Sequence, residues 1–106
     1  MAPTQLEIKV KALQRLVKEE GFYQQELKDQ TDYVEKLRKD SSVDPYDLKK
    51  QIEVQQDTER LLPTLYKKIG EFKENLEEYL KTYQGNESLD DANKIIEEAD
   101  NLIASQ

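Results

Sequence analysis

Apolar side chains recur along this chain at alternating spacings of three and four, the period of an amphipathic helix, and the pattern persists from Leu6 to Ile103. In the first stretch Leu6, Leu13, Leu27 and Val34 occupy one heptad position, with Glu20 interrupting. Val10 and Val17 give way to Tyr23 and Leu37 as the second position drifts round the helix. The second stretch carries Leu48, Ile52, Leu62, Tyr66, Ile69, Leu76, Leu80 and Tyr83, interrupted by Gln55 and Glu59. A further stripe of Leu61, Leu65, Phe72 and Tyr79 begins only after residue 60. The last stretch presents Leu89, Ala92, Ile96, Ala99 and Ile103, widened by Ile95 and Leu102.

Two clusters of turn residues divide the pattern, Asp40-Ser41-Ser42-Val43-Asp44-Pro45 and Gln84-Gly85-Asn86-Glu87-Ser88. Each ends in a helix-start signature. Asp44 precedes Pro45 at the first helical position and Asp47 at the third, and Ser88 stands three before Asp91. Thr4-Gln5-Leu6-Glu7 has the form of a capping box. These signals predict three helices, about 4–39, 44–84 and 88–104, in one domain over 1–106. Pro63 interrupts the second, at a cost of about 3 kcal/mol for a mid-helix proline. No capping residue lies just before it and the apolar phase continues past it, so the helix is expected whole but kinked. Gly21 and Gly70 are lesser weak points, about 1 kcal/mol each against alanine, and either could mark a bend.

At 1.5 Å per residue the first two helices run roughly 55 to 60 Å and the third about 25 Å. The fold expected is an all-α, antiparallel, coiled-coil-like three-helix bundle with two long helices and one short C-terminal helix. Folding back from Gly85, the third helix should lie on the late second helix and early first helix, where the apolar stripe widens. The far end of the hairpin is left as a two-helix arm. Its narrow seam of Tyr23, Leu27, Val34, Leu37, Leu48 and Ile52 is a candidate surface for a second copy or for another protein.

Composition changes this picture mainly by exclusion. Of 106 residues 37% are charged and 36% hydrophobic, which makes the core thin for its length. Leu, Ile, Val and Phe still supply about a quarter of the chain, above the roughly 20% floor for folding. With no Cys and no His there is no thiolate, no imidazole base, no ordinary zinc or iron site and no disulfide. The carboxylate pairs Glu19-Glu20, Glu77-Glu78, Asp90-Asp91 and Glu97-Glu98 diverge by about 100° on a helix and face no apolar pocket that would raise a pKa. No phosphate-cradling glycine loop or calcium loop is present. No catalytic, cofactor-binding or metal-binding residue is therefore assigned.

The net charge is −7, and residues 85–106 account for most of it with one basic and six acidic groups. Residues 1–84 are nearly balanced, which reads as solvated helix faces, and a pI near 4.7 argues against nucleic acid as the main ligand. The N-terminus lacks a leader pattern and no window reaches the roughly 20 apolar residues of a membrane span, so a soluble cytosolic protein is the simplest expectation. Lys11, Arg15 and Lys18 form one stripe beside the first helix's seam, and Lys49-Lys50 and Lys67-Lys68 add pairs on the second. The stripe reads either as solubility with intrahelical ion pairs or as a docking face for an acidic protein. Tyr46, just after Pro45, either staples the turn or stands at the hairpin tip as a contact aromatic.

The stretch Gln14-Arg15-Leu16-Val17-Lys18-Glu19, the turn Val43-Asp44-Pro45-Tyr46-Asp47-Leu48-Lys49-Lys50-Gln51, and Arg60-Leu61-Leu62-Pro63 together resemble the tubulin-binding cofactor A family, also called tubulin-specific chaperone A. The likeness spans essentially the whole chain, rests on the joint order of these features, and is strongest to yeast members. It implies a three-helix bundle that captures β-tubulin folding intermediates after chaperonin release and holds them for assembly of the α/β heterodimer, without nucleotide or cofactor. It further implies a cytoplasmic, cytoskeleton-associated protein. The resemblance transfers no binding motif position by position. Because β-tubulin is acidic, Lys11, Arg15, Lys18, Tyr46, Lys49 and Lys50 are the contacts expected from charge. The alternative is a homodimeric scaffold or adaptor whose arms pair into a four-helix bundle, and the two roles are compatible.

Overall fold

Three helices account for most of the computed structural model, which describes residues 2–106: α1 (Gln5–Arg38), α2 (Pro45–Lys81) and α3 (Asp90–Ala104). No strand occurs among the described residues. Thr4 caps α1 by accepting the Glu7 amide at 3.2 Å. Asp44 caps α2 through the Tyr46 amide at 2.8 Å, with Pro45 in the first turn where its missing N–H costs nothing. Between them Asp40 accepts both the amide and the hydroxyl of Ser42, closing the turn and holding its own carboxyl below the usual range.

The ends of the second connection, between α2 and α3, differ from expectation, for two identifiable reasons. α2 stops at Lys81 rather than near 84 because Tyr83 leaves the helix to organise the turn. The Tyr83 hydroxyl accepts the Glu87 amide at 3.1 Å and donates to the Glu87 carboxylate at 3.0 Å. The same carboxylate accepts the Thr4 hydroxyl at 2.8 Å, so Glu87 ties the start of α1 to the α2–α3 turn. α3 begins at Asp90 rather than 88. Ser88 does accept the Asp90 amide at 3.3 Å, but Leu89 holds the N-cap position without a side-chain cap. Leu89 packs against the core, and that burial takes precedence over a polar cap at the same position.

Contacts between helices fix their directions. Lys9 meets Asn75, Gln24 meets Tyr66, and Gln55 meets Thr31, so α1 and α2 run antiparallel in one register. α3 returns along α2, with Lys73 paired to Asp100 and Gly70 facing Ile103. The main core joins Leu6, Val10, Leu13 and Leu16 of α1 with Leu65, Ile69 and Leu76 of α2 and Ala92, Ile95 and Ala99 of α3. The short helix therefore covers the late α2 and early α1, as its length requires. Its deepest large residue is Ile95, with Ile96 only half-buried.

One expectation about that packing fails. The stripe of Leu61, Leu65, Phe72 and Tyr79 does not form the seat of α3, since Leu61 and Phe72 are exposed and only Leu65 of the four is buried. α2 runs through Pro63 as one continuous helix, with the proline on its exposed side. The polar interruptions of the seam are paired instead of wasted. Buried Glu20 accepts the Tyr66 hydroxyl at 2.5 Å, and Gln55 donates to the Thr31 hydroxyl at 3.1 Å.

Candidate functional site

The basic stripe of α1 is present and unobstructed. Lys11, Arg15 and Lys18 are all exposed at spacings of four and three, which places them on one line. Arg15 approaches Glu19 at only 4.0 Å, and neither Lys11 nor Lys18 has an ion pair among the described residues. The line continues, four residues beyond Lys18, to Phe22, a phenylalanine that is 63% exposed in mid-helix. The Lys18 ammonium stands 5.9 Å from its ring centroid, a cation–π contact that holds an apolar face beside a positive charge.

A second line runs along the same flank of α1. Ile8 is 46% exposed and Ala12 is half-buried, and they face Phe72 and Asn75 of α2 across an open groove of about 360 Å³ that Lys9 and Glu71 also line. Lys9 is fixed there by its 2.6 Å hydrogen bond to Asn75 and lies 5.5 Å from the Tyr79 ring centroid. Beside it Pro3, Ile8, Lys11, Ala12 and Arg15 border a shallower depression of about 380 Å³. On α2, Leu61, Lys68 and Phe72 follow one another at spacings of seven and four, with Leu61 50% and Phe72 38% exposed. The result is an apolar floor edged by cations on the face formed by the two long helices.

The other sequence candidates lie elsewhere. Tyr46 is 62% exposed at the hairpin tip rather than packed over the turn, with the Lys50 ammonium 5.2 Å from its ring and Lys49 also exposed. The tip is separated from Arg15 by roughly 35 Å of helix, so the two basic groups are not one site. The seam candidates face inward. Val34 is only 4% exposed, and Tyr23, Leu27, Leu37, Leu48 and Ile52 are half-buried within the hairpin. The conspicuous apolar exposure is at Ile8, Phe22, Leu61 and Phe72, together with Tyr33 and Val54 nearer the tip. Leu61 and Phe72 had a period consistent with core. Ile8 and Phe22 fall outside the seam in phase, and that was the available signal.

Electrostatics mark contacts that hold the bundle together and reveal no reacting group. Tyr66 has its pKa raised by burial and then by its bond to Glu20. Lys73 is raised by its hydrogen bond to Asp100. No three acidic side chains converge as a metal set among the described residues, and no helix is long and apolar enough to cross a membrane.

Comparison with known proteins places these features in a family context. The model of the family "Tubulin binding cofactor A" matches residues 1–103. Tubulin-specific chaperone A of Saccharomyces cerevisiae is 68% identical over the full length of both chains. The Dictyostelium discoideum protein of that name is 33% identical, covering 88% of this chain and 86% of its own. The human one is 35% identical over 65 residues. A solved structure described as Rbl2p, beta-tubulin binding post-chaperonin cofactor, is 67% identical with a TM-score of 0.89, covering 95% of this chain and 99% of that one.

Proposed function

From the premise that this chain belongs to the tubulin binding cofactor A family, we propose that it is a tubulin folding cofactor. It binds β-tubulin folding intermediates after their release from the chaperonin and holds them for assembly of the α/β heterodimer. The observation that carries this reading is the full-length identity of 68% to a tubulin-specific chaperone, joined to the close structural match with a β-tubulin-binding cofactor. The protein is a binding module and not an enzyme, and its site of action is the cytoplasm, in association with the cytoskeleton.

The geometry supports a client-holding role through surface and charge. An acidic client is drawn to the unpaired Lys11 and Lys18 and to Arg15, with Tyr46, Lys49 and Lys50 offering a second contact at the tip. A pull-down comparing β- with α-tubulin tests the client. Reversing Lys11, Arg15 and Lys18 together to Glu should weaken capture of β-tubulin by roughly tenfold while the helical circular dichroism stays unchanged. Capture at wild-type strength would remove the stripe from the interface. The homodimeric scaffold is compatible with this role, and sedimentation equilibrium across concentrations tests it.

A further inference from the structure

The long hairpin of α1 and α2 already seats one helix of the chain itself. α3 is an acidic amphipathic helix whose Ala92, Ile95 and Ala99 are buried between α1 and α2, while Lys73 holds Asp100 at the rim. Two positions along an α-helix amount to about 200° of rotation. On α1, Val10 lies beside Asp91 and Ala92 of α3, and Ile8 and Ala12 stand two positions either side of it. On α2, Gly70 and Lys73 face α3, and Phe72 and Asn75 stand two positions beyond each. The same offset on both helices puts the open groove on the opposite side of the α1–α2 pair, where no part of the described chain covers it.

That open face repeats the features that hold α3. Its floor is apolar, with Ile8, Ala12 and Phe72, and the exposed side chains of Phe22 and Leu61 stand beyond the groove, farther along the two helices. Its edge is cationic, with Lys11, Arg15 and Lys18 on one side and Lys68 on the other. Glu71 and Glu19 stand at this edge, with Glu19 facing Arg15, and Lys11 also borders a smaller depression on the α3 side together with Glu7, Glu87 and Asp91.

We propose that this face, lined by Ile8, Ala12, Phe22, Leu61 and Phe72, seats an acidic amphipathic helix of the client opposite α3. The client helix lays its apolar side on that floor and its carboxylates against Lys11, Arg15, Lys18 and Lys68, completing a four-helix arrangement around α1 and α2. Charge complementarity selects the occupant, since an acidic helix is the one the hairpin already binds and neither Lys11 nor Lys18 has an ion pair among the described residues. The proposal rests on the β-tubulin reading above.

The test uses the full chain with a photoreactive benzoylphenylalanine at Phe22 or Phe72, and at Asn101 on the outer side of α3 as control. Each is mixed with β-tubulin, irradiated, and the linked peptides are identified by mass spectrometry. Links from positions 22 and 72 to one acidic amphipathic helix, with none from 101, are expected. Phe72→Glu and Ile8→Glu, both at exposed positions and checked for unchanged helicity, should each weaken capture roughly tenfold. Links to a second copy of this chain would make the face a dimer interface and overturn the proposal, as would links to an unstructured or basic segment. Undiminished capture by both variants overturns it while leaving the β-tubulin reading intact. If the wild-type chain captures no β-tubulin, the functional reading falls and this one with it.

Discussion

Glu20 illustrates how a single residue is made tolerable in a thin core. It occupies a heptad position that Leu6, Leu13, Leu27 and Val34 otherwise fill, and its carboxylate is buried. Burying a charge is costly unless it is hydrogen-bonded, and Tyr66 supplies the bond while Gln24 donates to the tyrosine oxygen at 2.8 Å. Tyr66→Phe leaves that carboxylate without its partner and should destabilise the protein by about 1–3 kcal/mol, read as a lower melting temperature. Replacing both residues, Glu20→Leu with Tyr66→Phe, should recover most of the loss, because matched removal of both partners leaves no orphan. A double variant no more stable than Tyr66→Phe alone would mean that the tyrosine acts through packing. At Gly85 the constraint is steric rather than electrostatic. A Cβ there would overlap the Tyr83 hydroxyl, the group that receives the Glu87 amide, so only glycine leaves that turn undisturbed.

At the scale of elements, the three helices draw their stability from different sources. α1 and α2 are long and capped, whereas α3 has 15 residues and no side-chain cap and depends on its buried face. α2 also contains Pro63, which leaves the Glu59 carbonyl without its usual intrahelical donor. Both Pro63 and Glu59 are exposed, which puts that carbonyl on the solvent side of the helix. Pro63→Ala should therefore restore one helical bond and raise stability by about 1–3 kcal/mol, measured by thermal unfolding. A drop in melting temperature would show instead that packing between α1 and α2 requires the proline's local geometry.

As a whole, the molecule measures 64 × 31 × 17 Å with a radius of gyration of 19.0 Å, against roughly 13 Å for a compact chain of this length. Elongation trades core volume for face area, which suits a protein that holds another chain. The three-helix end is joined by Lys73 to Asp100, Tyr66 to Glu20, and Tyr83 to Glu87. Hydrogen bonding to Asp100 raises the pKa of Lys73, and burial comes first in raising those of Tyr66 and Tyr83. Each group keeps its proton to higher pH when folded than when unfolded, so its contribution is complete below the ordinary values of 10.0 and 10.5 and disappears above them. The melting temperature should accordingly fall as pH rises beyond about 10. A curve that stays level through pH 11 would show that these three groups hold their protons no more tightly folded than unfolded.

Much of this architecture was legible in residue order, because helix period, caps and length depend on neighbours within a few positions. The two turns, the caps at Thr4 and Asp44, and the short third helix lying on late α2 and early α1 all follow from local spacing and from 1.5 Å per residue. The basic stripe was legible for the same reason. What local spacing does not contain is the side from which α3 approaches. An apolar stripe such as Leu61, Leu65, Phe72 looks alike whether a third helix covers it or not; the seating of α3 against Gly70 and Lys73 left Phe72 exposed, and Leu61 lies beyond the end of α3. Likewise, Tyr83 leaving its helix to bind Glu87, and Tyr66 reaching Glu20 across 46 positions, are long-range pairings. The sequence by itself determined three amphipathic helices and their lengths. Only tertiary packing decided which of their apolar residues were consumed by the core and which were left exposed, because burial is a property of the assembled faces.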